Sequence, residues 1–165
     1  MKTIILPGYS PHNKEWADEI KNELKLGHEV ITHYWKHWQS GSMSLNYEVK
    51  KVLEEAENET FNLIAKSVGT RVVTALVLQA KEKINKIILC GIPSTSPDME
   101  EAFKKAFGDF PTEKIICFQN EKDPFKTSKE VKEFLKKINP KIKVIEKERS
   151  GHDYPYFSDF QKFLE

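Results

Sequence analysis

Long apolar runs are missing from this chain, and so is any excess of charge. No stretch approaches the ~20 residues that cross a bilayer, and Met1-Lys2-Thr3-Ile4-Ile5-Leu6-Pro7 carries an apolar run too short for the core of a secretion signal. Neither export nor a membrane is expected. Basic residues number 26 and acidic ones 25, together 31% of the chain, so the charge balance indicates neither a nucleic-acid footprint nor a membrane-surface patch. Cysteine is scarce. Cys90 and Cys117 both follow or sit in apolar runs, where a free thiol packs as a small apolar side chain; reduced thiols and a cytoplasmic setting are expected. Pro, Gly and Ser nowhere gather into a linker, and 165 residues suffice for one full core, so residues 1–165 are expected to form a single domain. The turn Pro7-Gly8-Tyr9-Ser10-Pro11 lacks the G-x-G-x-x-G spacing of dinucleotide sites, and no metal-ligating cluster stands out. No cofactor is implied.

What the chain does have is an alternation of short β-branched runs with amphipathic segments, the pattern of an α/β domain whose parallel sheet is covered by helices on both faces. Strands are predicted at Thr3–Leu6, Glu29–Trp35, Phe61–Ala65, Lys86–Cys90, Lys114–Gln119 and Lys143–Glu146. Helices are predicted at Glu15–Leu26, with Trp16, Ile20 and Leu24 four apart and Gly27 ending it, and at Leu45–Ala56, capped by Ser44. Further helices are expected at Thr70–Leu78, from Asp98 as cap to Phe107, at Ser128–Ile138, and at the end around Phe157, Phe160, Phe163 and Leu164.

Between the third strand and its helix lies Ala65-Lys66-Ser67-Val68-Gly69. A strand turning into a helix through Ser, with Gly two residues on, has the layout of the nucleophile elbow, usually G-x-S-x-G; Ala65 takes the place of the first Gly. A plainer reading makes Ser67 the N-cap of the helix. In an open parallel sheet, ligands bind beyond the carboxyl ends of the strands, and only three such turns offer a reactive set. Ser67 follows the third strand, Asp123 the fifth and Gly151-His152 the sixth. An alcohol is a weak nucleophile at neutral pH, so it needs an adjacent base, and the base needs an acid to fix its tautomer. Ser, Asp and His occur in that order.

On Leu6-Pro7-Gly8-Tyr9, Ala65-Lys66-Ser67-Val68-Gly69, Gln119-Asn120-Glu121-Lys122-Asp123-Pro124-Phe125 and Ser150-Gly151-His152, nearly the whole chain resembles the α/β-hydrolase superfamily, and within it the compact serine hydrolases similar to the retinoblastoma-binding-protein type. The resemblance implies Ser67 as nucleophile, Asp123 as acid and His152 as base. It implies a doubly wound sheet of six parallel strands in the order 2-1-3-4-5-6, a minimal form lacking two early antiparallel strands. It also implies an oxyanion hole from the backbone N–H groups of Val68 and of a first-turn residue, here Tyr9. Two positions depart from the pattern: Ala65 replaces Gly, and Pro7 stands where many members have His.

Other polar residues invite plainer readings. His33 and His37 read as loop residues among Trp35 and Trp38, because a metal pair at that spacing needs a helix. His12 and His28 add imidazole, and His12 is expected near the site but facing solvent. Lys66 reads as a pocket-rim lysine with no role, Asp153 as a weaker orienter of His152 than Asp123, Asp98 as a helix cap, and Cys90 as structural. Phe103, Phe107 and Phe110 either pack on the sheet or line an acyl channel. Two functions are in view: hydrolysis of small carboxylic esters through an acyl-serine, and a non-enzymatic module that keeps the fold and binds a protein partner.

Overall fold

A computed structural model describes all 165 residues. Six parallel strands form one sheet in the order β2-β1-β3-β4-β5-β6: β1 Lys2–Leu6, β2 Glu29–Thr32, β3 Phe61–Lys66, β4 Ile84–Cys90, β5 Ile115–Asn120 and β6 Lys143–Lys147. Between and after them run α1 Asn13–Glu23, α2 Leu45–Glu55, α3 Val68–Ala80, α4 Pro97–Phe107, α5 Ser128–Ile138 and α6 Phe157–Leu164. Fold class and strand order agree with the sequence expectation.

Alternation along each strand divides the apolar residues between two layers. Ile4, Leu63, Ile87 and Cys117 face a larger layer built with α2, α3, α4 and α5, while Ile5, Ile64, Ile88 and Ile116 face a smaller one built with α1 and α6. Phe103 and Phe107 are fully buried and Phe110 nearly so; Phe103 meets Phe107 at 5.1 Å and Phe134 of α5 at 5.3 Å between ring centroids. Those rings belong to the core, so of the two expectations for them it is sheet packing that the structure bears out.

Side chains close the N-termini of three helices, α2, α4 and α5. Ser44 accepts the Tyr47 N–H at 3.4 Å, and α5 starts with a reciprocal pair in which Thr127 and Glu130 bond each other's N–H. At α4 the cap is Ser96, accepting from Met99 N–H, and Asp98 sits inside the first turn, because Pro97 occupies the first helical position that Pro favours. Helix α1 ends at Glu23 with Leu24 as its C-cap, and Gly27, with φ +67°, belongs to the turn beyond. Strand β2 stops at Thr32, so Tyr34 and Trp35 lie past the sheet.

The chain leaves β1 toward β2 on one side and returns to β3 on the other. That reversal opens a crevice between the carboxyl ends of β1 and β3, the place where open α/β sheets bind ligands. The turn after β1 and Ser67 after β3 both fall there. No helix is long and apolar enough to cross a membrane.

Candidate active site

Ser67 joins β3 to α3 at φ 54° and ψ −117°, a backbone region that costs a residue with a Cβ about 1–3 kcal/mol and persists only when its surroundings impose it. They do so here. Its N–H donates to Cys90 O at 3.0 Å, continuing the ladder to β4, and its carbonyl accepts the Thr70 N–H at 2.9 Å and the Thr70 hydroxyl at 2.7 Å. A Cβ on Gly69 would lie 2.4 Å from Leu6 O, so only glycine lets α3 pass this close to β1. The Ser67 side chain caps nothing, which removes the plainer N-cap reading and leaves the hydroxyl free.

Asp123 and His152 come together from two neighbouring turns. His152 Nδ1 lies 2.6 Å from Asp123 Oδ2, and the Tyr154 hydroxyl donates to that same oxygen at 2.6 Å, while Asp123 Oδ1 accepts the Phe125 N–H at 2.9 Å. Burial alone would push the Asp123 carboxyl up, but these three donors favour the carboxylate and hold it below its ordinary value. The proton between the two residues belongs to Nδ1, since the carboxylate only accepts. In a neutral imidazole this tautomer leaves Nε2 as the lone pair; Nε2 is buried and has no hydrogen-bond partner, so Ser67 Oγ is not bonded to it. The Phe125 ring lies 4.5 Å from the imidazole. Asp153, the rival orienter, faces Arg149 at 3.5 Å instead.

Several supporting residues escaped the sequence reading. Asn120 Nδ2 donates to Gly151 O and Asp153 O, both at 2.8 Å, and so holds the loop that carries His152, while Asn120 N–H donates to Tyr154 OH at 3.1 Å. Gly91 sits at φ +59°, and a Cβ there would lie 2.6 Å from Tyr154 Cε2 and 2.9 Å from His152 Cε1. A lone Gly after a strand was the only signal available for that packing.

The expected oxyanion donors belong to the two turns that border the crevice. Val68 opens α3, so its N–H has no carbonyl one turn earlier to bond. Tyr9, half-exposed, lies in the turn after β1, and its N–H has no acceptor in the protein.

Lys66 and His33 differ from expectation. Lys66 is buried, not on a rim: Nζ donates to Asn13 Oδ1 at 2.8 Å and lies 5.2 Å from the Trp16 ring, and burial draws its ammonium below the ordinary value. His33 lies in the loop after β2, as expected, but it is buried, with Nδ1 at 2.9 Å from Glu55 and Nε2 at 2.9 Å from Glu48. A neutral imidazole has one N–H to give and two carboxylates claim it, so the imidazolium is the form that satisfies both. Both thiols are buried and free, and burial pushes them up. His12 is exposed before α1, and His28 meets Thr3 Oγ1 at 2.8 Å. No group of three or more His, Cys, Asp or Glu is arranged to hold a metal ion.

Comparison with known proteins adds a family. Residues 7–114 match a family described as alpha/beta hydrolase fold, whereas no curated protein matches in sequence. Among solved structures, a YdeN-like hydrolase from Pectobacterium atrosepticum superposes with a TM-score of 0.69 at 15% identity, over 99% of this chain and 90% of that one. The ydeN gene product from B. subtilis gives 0.64 at 13% identity, over 99% and 98%. XC6422 from Xanthomonas campestris, described as an a/b serine hydrolase without lid, gives 0.69 at 16% identity, over 99% and 78%. With more than half of its length matched, and with this strand order and elbow, the chain belongs to the alpha/beta hydrolase fold family.

Proposed function

We propose that this protein is a serine hydrolase that cleaves small carboxylic esters through an acyl-Ser67 intermediate. The observation that carries the reading is a strained, uncapped Ser67 at the same end of the sheet as a His152 whose Nδ1 is committed to Asp123 and whose buried Nε2 has no partner. In the reaction, Nε2 takes the hydroxyl proton as Oγ attacks the ester carbonyl, and Asp123 stabilises the imidazolium that results. The negative charge on the carbonyl oxygen meets the N–H groups of Val68 and Tyr9, with the positive end of α3 behind them. His152 then returns the proton to the departing alcohol, and water repeats the sequence to release the acid.

Short substrates fit the geometry best. Only α4 and a short 3₁₀ turn lie between β4 and β5, and the three phenylalanines that could have lined an acyl channel are spent on the core. A cleft of about 350 Å³ does exist, but Leu53, Ala56, Phe61 and Gln79 line it at the opposite end of the sheet. The relative described as lacking a lid is in keeping with an open site. Each methylene that finds an apolar wall contributes roughly 0.8 kcal/mol, about fourfold in rate, and an open site offers few such walls beyond about eight carbons.

A fluorophosphonate and a series of p-nitrophenyl esters test this together. Ser67 should be the labelled residue, Ser67→Ala should neither label nor turn over, and kcat/KM should be highest between acetyl and butyryl. An unlabelled wild type would end the hydrolase reading, and a steady gain up to palmitate would end the open-site reading.

A further inference from the structure

Three ring N–H groups converge on three successive carbonyls in the turn after β1. Trp35 Nε1 donates to Pro7 O at 3.2 Å and Gly8 O at 3.0 Å. Trp38 Nε1 donates to Tyr9 O at 2.7 Å, and His37 Nε2 meets that oxygen at 2.8 Å. A carbonyl only accepts, so the His37 proton is on Nε2. The segment that supplies these rings is itself anchored to α2: His33 is gripped by Glu48 and Glu55, and Glu48 Oε1 also accepts the Lys36 N–H at 3.1 Å.

Sheet order gives the clamp a direction. With β2-β1-β3 as the local order, Trp35 approaches the turn from the β2 side, and Ser67 and Val68 stand on the β3 side. The chain has no cis peptide, and in a trans peptide C=O and N–H point opposite ways. Drawing the Pro7 and Gly8 carbonyls toward Trp35 therefore turns the N–H groups of Gly8 and Tyr9 away from it, the side on which β3 and Ser67 lie, and neither has an acceptor within the protein. A Gly at position 8 would otherwise let its peptide rotate freely.

We infer that Trp35 is the positioning residue of the oxyanion pocket: its indole N–H holds the Gly8–Tyr9 peptide with the Tyr9 N–H aimed at the reacting carbonyl, and Trp38 and His37 secure the next peptide. This role rests on acyl transfer at Ser67. It also gives the three aromatic residues after β2 a shared purpose that burial alone does not, since Trp35 is fully buried but Trp38 is not.

The test removes the N–H and keeps the shape, by Trp35→3-benzothienylalanine, in which sulfur replaces the indole nitrogen. Loss of one oxyanion donor costs about 10²–10³ in kcat, so a misaimed donor should lower kcat about 10- to 100-fold while KM stays within about threefold. Affinity for an aryl boronic acid, whose serine adduct is tetrahedral, should fall in parallel, and inhibition by the product carboxylate should not change. Unchanged kcat and boronate affinity, or a rise in KM alone, overturns the role. Should that variant fail to fold, Trp38→Phe decides instead, with the same split expected at roughly 3- to 10-fold and no change overturning the role. Fluorophosphonate labelling of wild-type Ser67 separates the two failures: labelling with an unaffected clamp variant sinks only the positioning role, whereas no labelling sinks the hydrolase itself.

Discussion

Tyr154 donates its hydroxyl to the same Asp123 oxygen that receives the His152 N–H, and both distances are 2.6 Å. Asp123 therefore carries two strong donors on one oxygen, and its charge is shared between the residue it orients and a residue that orients it. Asp123→Asn should keep the fold and lower kcat by about 10⁴, the size of the corresponding serine-protease loss, because the imidazole takes the wrong tautomer. Asp153→Asn should leave kcat within about twofold, since exposed ion pairs contribute little. Equal losses in the two variants, measured on one ester, would reassign the acid.

Removing only the Tyr154 hydroxyl probes the same carboxylate more gently. Tyr154→Phe leaves the buried Asn120 N–H without its acceptor, a cost of about 1–3 kcal/mol, and takes away one of the donors that hold the Asp123 carboxyl low. A depressed carboxyl adds stability that is present above its unfolded value and lost as pH falls through its folded one. Wild type and Tyr154→Phe should accordingly differ more in urea midpoint at pH 6 than at pH 3. A difference constant across that range would mean the hydroxyl does not act on Asp123.

Gly91→Ala should damage the site from beneath. The new Cβ would fall 2.6 Å from Tyr154 and 2.9 Å from His152, at a backbone φ of +59° that alanine resists. A stability loss of about 1–3 kcal/mol is expected from the backbone alone, with kcat falling more than tenfold as the imidazole is displaced. Full activity with a lowered midpoint would show that the His152 loop yields without cost.

His33 predicts the opposite pH trend. Burial disfavours its charge, yet the hydrogen bonds and charges of Glu55 and Glu48 outweigh burial and raise it above its ordinary value. Such a group contributes stability that is fully present below an unfolded value of about 6.5 and disappears as pH rises through the folded value. His33→Leu should cost about 3–5 kcal/mol at pH 6, because Glu48 is left buried without its partner, and the gap from wild type should narrow by pH 9. A gap that stays level from pH 6 to 9 would mean that His33 is held neutral.

Most of the fold was legible because its signals are local. Strand alternation, the Ser44 cap and the Ser128–Ile138 stripe depend on neighbours within a turn or two, and the order Ser67, Asp123, His152 could be read from which turns follow apolar runs. Where the reading slipped, a distant partner had decided. Lys66 has the sequence setting of a rim residue, but α1 brings Asn13 and Trp16 over it, and His33 is a loop residue that α2 buries by bringing Glu48 and Glu55 to its two nitrogens. Tyr154 and Gly91 carry no sequence mark because their task is to fit each other across separate turns. The indole clamp belongs to the same class: nothing in the spacing of Trp35, His37 and Trp38 points to Pro7, Gly8 and Tyr9, and only the placement of β2 beside β1 brings those N–H groups to those carbonyls. Local hydrogen bonding and periodicity chose the elements and the turns that carry the candidate residues, while packing between elements far apart in the chain chose the partners and support of those residues.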